Sequence, residues 1–203
     1  MISKEQVQES ALTLFTRYGL QSVNMDDLAK ELRVSKKTIY QLYNSKEELV
    51  LSLFERISGE WDKEVGILLK KPNNPIIQFL KLTDLRYQYV ERLNPTFLLK
   101  SSRQYQKVYS FMLDITSSIE SLVLELLIRA KEQNVILEEV DPKIFHTVHE
   151  SIFISYFEHY NPVVPGSKNT FKHMVIAPIA GICDTNKINI WKEYDTISTG
   201  TLT

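Results

Sequence analysis

Cysteine is almost absent. One residue, Cys183, in 203 excludes an intramolecular disulfide and any zinc site built on cysteine pairs. A lone thiol of this kind reads as a small buried apolar group. Excess charge of either sign is missing too: 24 Lys and Arg stand against 25 Asp and Glu, a net −1, so the chain is no polybasic nucleic-acid coat. Any binding to nucleic acid must come from a local patch. No apolar run approaches the ~18–20 residues needed to span a bilayer. The opening MISKEQVQES lacks the apolar stretch of a secretion signal. The expectation is a cytoplasmic, soluble chain with no membrane partner.

Catalytic signatures are also lacking. There is no glycine-rich phosphate loop, no G-x-S-x-G and no H-E-x-x-H. His146, His149 and Glu150 come nearest to a cluster, sharing one helix face, but no third ligand is evident. The expectation is no metal, no cofactor, no catalytic residues and no enzyme.

What remains is helix. Six glycines and seven prolines are few, and Leu, Ile, Glu and Lys are many. No strand pattern competes, so the expected class is all-α. Ser3 can cap a first helix carrying Val7, Ala11, Leu14, Phe15 and Tyr18, with Gly19 at its end. In Asn24 to Leu49, Met25, Leu28, Ala29 and Leu32 fall at i, i+3, i+4 and i+7, one apolar face of a second helix. Asn24 caps it, with Asp27 at the third position. Arg33-Val34 breaks the period, and Ser35 caps a third short helix, Lys36 to Tyr43. Ser45, with Glu48 three residues on, opens a long helix through Leu49, Leu53, Ile57, Trp61, Val65 and Leu68, stopped by Pro72 to Pro75.

Beyond it, Phe79, Leu82, Thr83, Arg86 and Val90 share a helix face, and Asn94-Pro95 restarts the chain. Tyr109, Met112, Thr116, Ile119, Val123, Leu126 and Ala130 form a bundle seam. Asp141-Pro142 opens a helix with Phe145, Val148, His149, Ile152 and Tyr156 inward. After the NPVVPG loop, Ser167 caps a last helix that Pro178 must kink. The layout is an N-terminal three-helix head with a helix-turn-helix (1–46), a helical-bundle domain (47–190) and a flexible tail (191–203).

Two short helices around a tight turn, the second beginning Ser-Lys-Lys-Thr, are the pattern of a helix-turn-helix reader of double-stranded DNA. Phosphates need cations and N–H donors, and base edges need short polar groups at a helix N-terminus. Ser35, Lys36, Lys37, Thr38 and Gln41 supply these, at the positive end of a helix dipole. Arg33 in the turn and Lys46 in the next helix add cations; Tyr40 and Tyr43 can donate to phosphates, while Ile39 and Leu42 face inward.

Residues 7 to 50 resemble the N-terminal domain of the TetR (tetracycline repressor) family. The resemblance rests on Ala11, Leu14, Phe15 and Gly19; on Val23, Met25, Asp27, Leu28 and Ala29; on Val34, Ser35, Lys36, Thr38, Ile39 and Tyr40; and on Ser45 to Leu49. Arg33 replaces the family's usual turn glycine, Lys37 a small residue, and Gln41-Leu42-Tyr43 a frequent His-Phe pair. The resemblance implies a homodimer on a palindromic operator, acting most simply as a repressor. It also implies a body that binds a small apolar or amphipathic effector. For the effector pocket, Trp61, Phe79, Arg86, Tyr89, Tyr105, Tyr109, Met112, Thr116, His149 and Phe153 are the candidates. For the dimer interface they are Ile152, Tyr156, Met174, Ala177, Ala180 and Gly181, whose small members allow close helix approach. The rival from another class is a helical small-molecule binder or adaptor whose head no longer reads DNA. Residues 1 to 50 hold seven basic and seven acidic side chains, a balance that favours it slightly.

Overall fold

A computed structural model of the chain describes residues 2–70, 73–158 and 167–199. It is all-helical apart from one isolated bridge, Ile136 to Cys183, among the described residues. Pro72, the NPVVPG loop and the Ser167 side chain, expected from the sequence to stop and start helices, lie outside them.

The helices begin where side chains can satisfy first-turn N–H groups. α1 (Lys4–Tyr18) opens on a capping box in which Ser3 Oγ accepts from the Gln6 amide at 3.2 Å and Gln6 Oε1 accepts from Ser3 N at 2.9 Å. Gly19, at φ 89°, ends it. α2 (Met25–Glu31) opens on Asn24, whose Oδ1 accepts from Asp26 N at 2.9 Å and Asp27 N at 3.0 Å. α3 (Lys36–Leu42) opens on Ser35 and α4 (Lys46–Lys70) on Ser45, which accepts from Glu48 N at 3.1 Å. The Glu48 carboxylate takes the Asn44 amide at 2.9 Å instead of closing a box on Ser45. α5 (Pro75–Leu93), α6 (Pro95–Gln104), α7 (Gln106–Glu132) and α8 (Pro142–Glu158) follow.

The last expected helix is broken into three. α9 (Ser167–Phe171) passes into a π-turn (Lys172–Ile176) and then α10 (Ala177–Ile182). Pro178 has no N–H, and its ring crowds the carbonyl four residues back, so the helix widens by one residue ahead of it. The Ala177 amide then bonds to the Lys172 carbonyl, five residues earlier.

Residues 190–199 correct the expected tail: they form α11 (Ile190–Thr199), with Ile190 and Tyr194 buried. The Tyr194 hydroxyl donates to Asp84 Oδ1 at 3.3 Å. Ile190, Tyr194 and half-buried Ile197 fall at i, i+4 and i+7, an apolar stripe that the polar residues around it hid in the sequence.

The chain divides into two compact units: residues 1–64 with 89–117, and 65–88 with 118–203. This differs from the expected boundary at 46/47. In the first unit the core is α1 against α2, α3, the start of α4 and α6. Phe97 stacks on Phe15 at 5.9 Å and on Phe54 at 5.8 Å, and Leu28, Ile39, Leu49 and Leu53 are fully buried around them. A three-helix head of this length buries too little alone; α4 and α6 complete its core.

The second unit is built around aromatic rings. Phe171 lies 4.3 Å from Tyr87 and 5.4 Å from Tyr156, centroid to centroid. Beside them Arg86 and Glu150 form a buried two-pronged ion pair, at 2.6 and 2.9 Å. Burial alone raises the Glu150 carboxyl, but Arg86 outweighs it and the pKa is held below the usual range. Removing either partner alone is expected to cost about 3–5 kcal/mol, because the other charge is left buried. His149, fully buried, directs Nε2 to the Val175 carbonyl at 3.1 Å. Burial drives its pKa down to about 4, so the ring is neutral, and a nitrogen facing a carbonyl must carry the proton.

A pH dependence follows. An unfolded histidine charges near 6.5, whereas His149 in the fold stays neutral until about 4. Its contribution is complete above pH 6.5 and is lost as pH falls toward 4, about 3 kcal/mol in all. Glu150 adds its own loss only below about 4.5. His149→Gln keeps a donor for Val175 but cannot titrate. Denaturant midpoints measured from pH 7 to pH 4 are expected to fall less steeply in that variant.

Candidate nucleic-acid interface

The turn between α2 and α3 is closed by paired backbone bonds. Arg33 N donates to the Lys30 carbonyl at 3.1 Å, and Val34 N to the Ala29 carbonyl at 2.9 Å. This is the Schellman arrangement, which needs its central residue in the left-handed region. Arg33 takes that position, at φ 54°, without being glycine. The strain leaves the arginine at the corner, exposed ahead of α3.

α3 then presents its first turn. Ser35 Oγ accepts from the Thr38 amide at 3.1 Å, and the two hydroxyls lie 2.8 Å apart. Ser35, Lys36, Lys37, Tyr40 and Gln41 are exposed and Thr38 is half-buried. Lys36 reaches back to Asp26 at 2.8 Å, and that hydrogen bond and charge raise its pKa. It also lies 5.8 Å from the Tyr40 ring centre. The aspartate partner was not legible in the sequence, because it lies ten residues away across the turn.

Two expected contacts are overturned. Tyr43 is 1% exposed, lies in the first unit's core and donates its hydroxyl to the Lys4 carbonyl at 3.4 Å. It anchors α3 from below, and burial raises its pKa. Lys46 is half-buried, donates to the Leu20 carbonyl and lies 5.3 Å from the Phe15 ring centre. Burial lowers its pKa. Its ammonium closes the loop after α1; it is not offered to a phosphate.

The arrangement is thus two anchored short helices, the second with an exposed, cation-bearing N-terminal turn. The family model described as bacterial regulatory proteins, tetR family, matches residues 8–53, the span that carries it. The chain carries a TetR-family N-terminal domain over those residues. Its relatives include the biofilm operon icaADBC HTH-type negative transcriptional regulator IcaR of Staphylococcus epidermidis, 22% identical over 85% of this chain and 94% of that protein. Among solved structures, a Saccharomonospora viridis transcriptional regulator in complex with choline shares the fold at TM-score 0.77 and 16% identity, over 89% of this chain and 97% of that one. A TetR-family regulator from Marinobacter aquaeolei does so at TM-score 0.73 and 12% identity, over 97% and 99%. No helix among the described residues is long and apolar enough to cross a membrane.

The residues expected to line a pocket divide between the units. Trp61, Tyr89, Tyr105, Tyr109, Met112 and Thr116 belong to the first. There Trp61 meets Tyr89 edge-on at 5.3 Å and the Tyr89 hydroxyl donates to Glu64 at 2.8 Å, while Tyr109 and Thr116 are exposed. Phe79, Arg86, His149 and Phe153 belong to the second and do come together. The rings of Phe79 and His149 are 5.1 Å apart, and the Arg86 guanidinium sits 4.0 Å from the Phe153 ring centre. Of the dimer candidates, Tyr156 is buried among Tyr87, Phe157 and Phe171 and is corrected to a core residue. Val148, expected inward, points out. Met174 and Gly181 are exposed, and Ile152, Ala177 and Ala180 are half-buried.

Left-handed geometry costs a non-glycine residue about 1 kcal/mol. Arg33→Gly is therefore expected to stabilise the fold by about that much while weakening duplex binding. Denaturant unfolding and a duplex titration on the same variant check both signs.

Proposed function

We propose that this chain is a ligand-responsive repressor of the TetR family. It binds a palindromic operator as a homodimer and leaves it when a small, largely apolar effector enters the body. The observation that carries the reading is the exposed first turn of α3. Arg33, Lys36 and Lys37 face outward around capped amide groups, while Ile39 and Tyr43 hold the helix from beneath. Ser35, Thr38 and Gln41 are short polar groups placed to read base edges, and the cations are placed to hold phosphates.

Dimerisation is supported by an apolar surface on α8. Ile144 is 66% exposed and Val148 53%, one turn apart, with half-buried Ile152 continuing the line. In the same unit Met174, Ala177, Ala180 and Gly181 offer small and flexible side chains near solvent. A two-fold pair would set its heads on half-sites about 34 Å apart. An effector is supported by the choline held in the Saccharomonospora viridis relative and by the aromatic lining of the second unit.

The adaptor reading draws on one fact: the Lys36–Asp26 pair spends part of the head's positive charge internally. Selection from random duplexes separates the two. Palindromic enrichment supports the repressor, and its absence supports the adaptor. On the selected duplex, Arg33→Ala, Lys36→Ala and Lys37→Ala together are expected to weaken binding and flatten its salt dependence. The expected change is about one in the log–log slope for each cation removed from a head. Lys46→Ala is expected to leave the slope unchanged and to lower thermal stability.

A further inference from the structure

Along α5, Phe79, Thr83 and Arg86 fall at i, i+4 and i+7; along α8, Phe145, His149 and Phe153 fall at i, i+4 and i+8. These stripes meet in the second unit, through the Phe79–His149 ring contact at one end and the Arg86–Glu150 ion pair at the other. Thr83 sits between the two contacts.

Among the buried polar atoms on these helices that make no hydrogen bond are Thr83 Oγ1, His149 Nδ1 and His146 Nε2. Orphans of this kind are rare in folded proteins, because each forfeits a bond it had with water. The Thr83 hydroxyl is the more telling for what it declines. Helical threonines commonly donate to the carbonyl four residues back. Thr13, Thr16, Thr147 and Thr196 all do so here, at 2.8 to 3.0 Å. Thr83, 1% exposed, does not. His149 is fully buried, and its proton is committed to Val175 through Nε2. Its Nδ1 is therefore a bare acceptor. Phe145 stacks on the ring at 5.5 Å and Phe79 meets it edge-on, so the surroundings are apolar.

We propose that the α5/α8 seam is a recognition site for an uncharged, largely apolar molecule bearing a hydroxyl. The hydroxyl donates its proton to His149 Nδ1 and accepts one from Thr83 Oγ1. The assignment rests on the effector reading above and narrows its ligand class. Charge is excluded by what is already paired. A carboxylate would want Arg86, but both its prongs are on Glu150. An ammonium would want Glu150, held by the same bonds, or Asp84, which accepts from Gln88 at 2.7 Å and from Tyr194. A ligand with neither charge nor donor would leave Nδ1 as bare as it is now.

The test uses the full chain with three matched probes: benzyl alcohol, toluene and benzoate. Benzyl alcohol is expected to bind about tenfold or more tightly than either of the others, the size of effect that one buried hydrogen bond supplies. In histidine-labelled protein the His149 Nδ1 resonance is expected to move with benzyl alcohol alone. Thr83→Val, nearly isosteric, and His149→Phe are each expected to bring the ratio to toluene toward one; should the second fail to fold, the first carries the test. Equal affinity for alcohol and hydrocarbon, preference for benzoate, no binding of any probe, or a water on Nδ1 that the alcohol does not displace overturns the proposal. The effector reading fails separately. If a compound without a hydroxyl releases the operator duplex equally from the native chain and from Thr83→Val, the hydroxyl site is wrong and ligand-responsive repression stands. If benzyl alcohol binds selectively but no compound releases the duplex, the hydroxyl site stands and ligand-responsive repression is wrong.

Discussion

A seven-residue helix cannot hold itself together in water, and α3 is seven residues long. One side of it must stay free for whatever it reads. Everything that fixes it therefore comes from the opposite side and from its two ends. Ile39 and Tyr43 are driven fully into the first unit's core, Ser35 closes one end, and Ser45 restarts the chain at the other. The same demand explains why Phe97 of α6 is drawn into the head's core. Three short helices do not enclose Phe15 and Phe54, and a ring from further along the chain completes the stack.

That economy also governs which residues remain outside. Lys46 looked like a surface cation because its position is the first turn of a helix, where positive charge is disfavoured by the dipole. The Leu20 carbonyl, in the connector after α1, supplies an acceptor within the fold instead. Tyr43 looked like a donor at the edge of the reading helix, yet the helix needs a large anchor at that position more than a hydroxyl outside.

Periodicity and capping carried most of the fold. The starts of α1 and α2, and the serine before α3, follow from local rules; the left-handed turn at Arg33 was signalled only by the resemblance, in which glycine usually holds that position. Less of the site was legible. The outward set from Arg33 to Gln41 could be read because exposure follows helical phase, whereas the Asp26 partner of Lys36, the fate of Lys46 and the burial of Tyr156 depend on approach between elements distant in sequence. The aromatic composition of the body announced a ring-rich core, but not which rings would meet. α11 escaped because its short apolar stripe, Ile190, Tyr194 and Ile197, lies in a stretch that is polar on both sides.

The widened turn at 172–176 carries one residue more than a regular helix would need. Insertions and deletions in a helix are ordinarily ruinous, since each residue turns everything downstream by about 100°. Here the surplus residue is already accommodated, and buried residues stand on either side of the turn, Phe171 before it and Ile179 and Ile182 after it. Deleting one residue from the bulge would close it to a regular turn and leave Ile179 and Ile182 in their present phase. It would also set the Pro178 ring against the carbonyl four residues back, the clash that the wide turn avoids. The irregularity is what keeps two separately indexed halves of one helix in step with the same core.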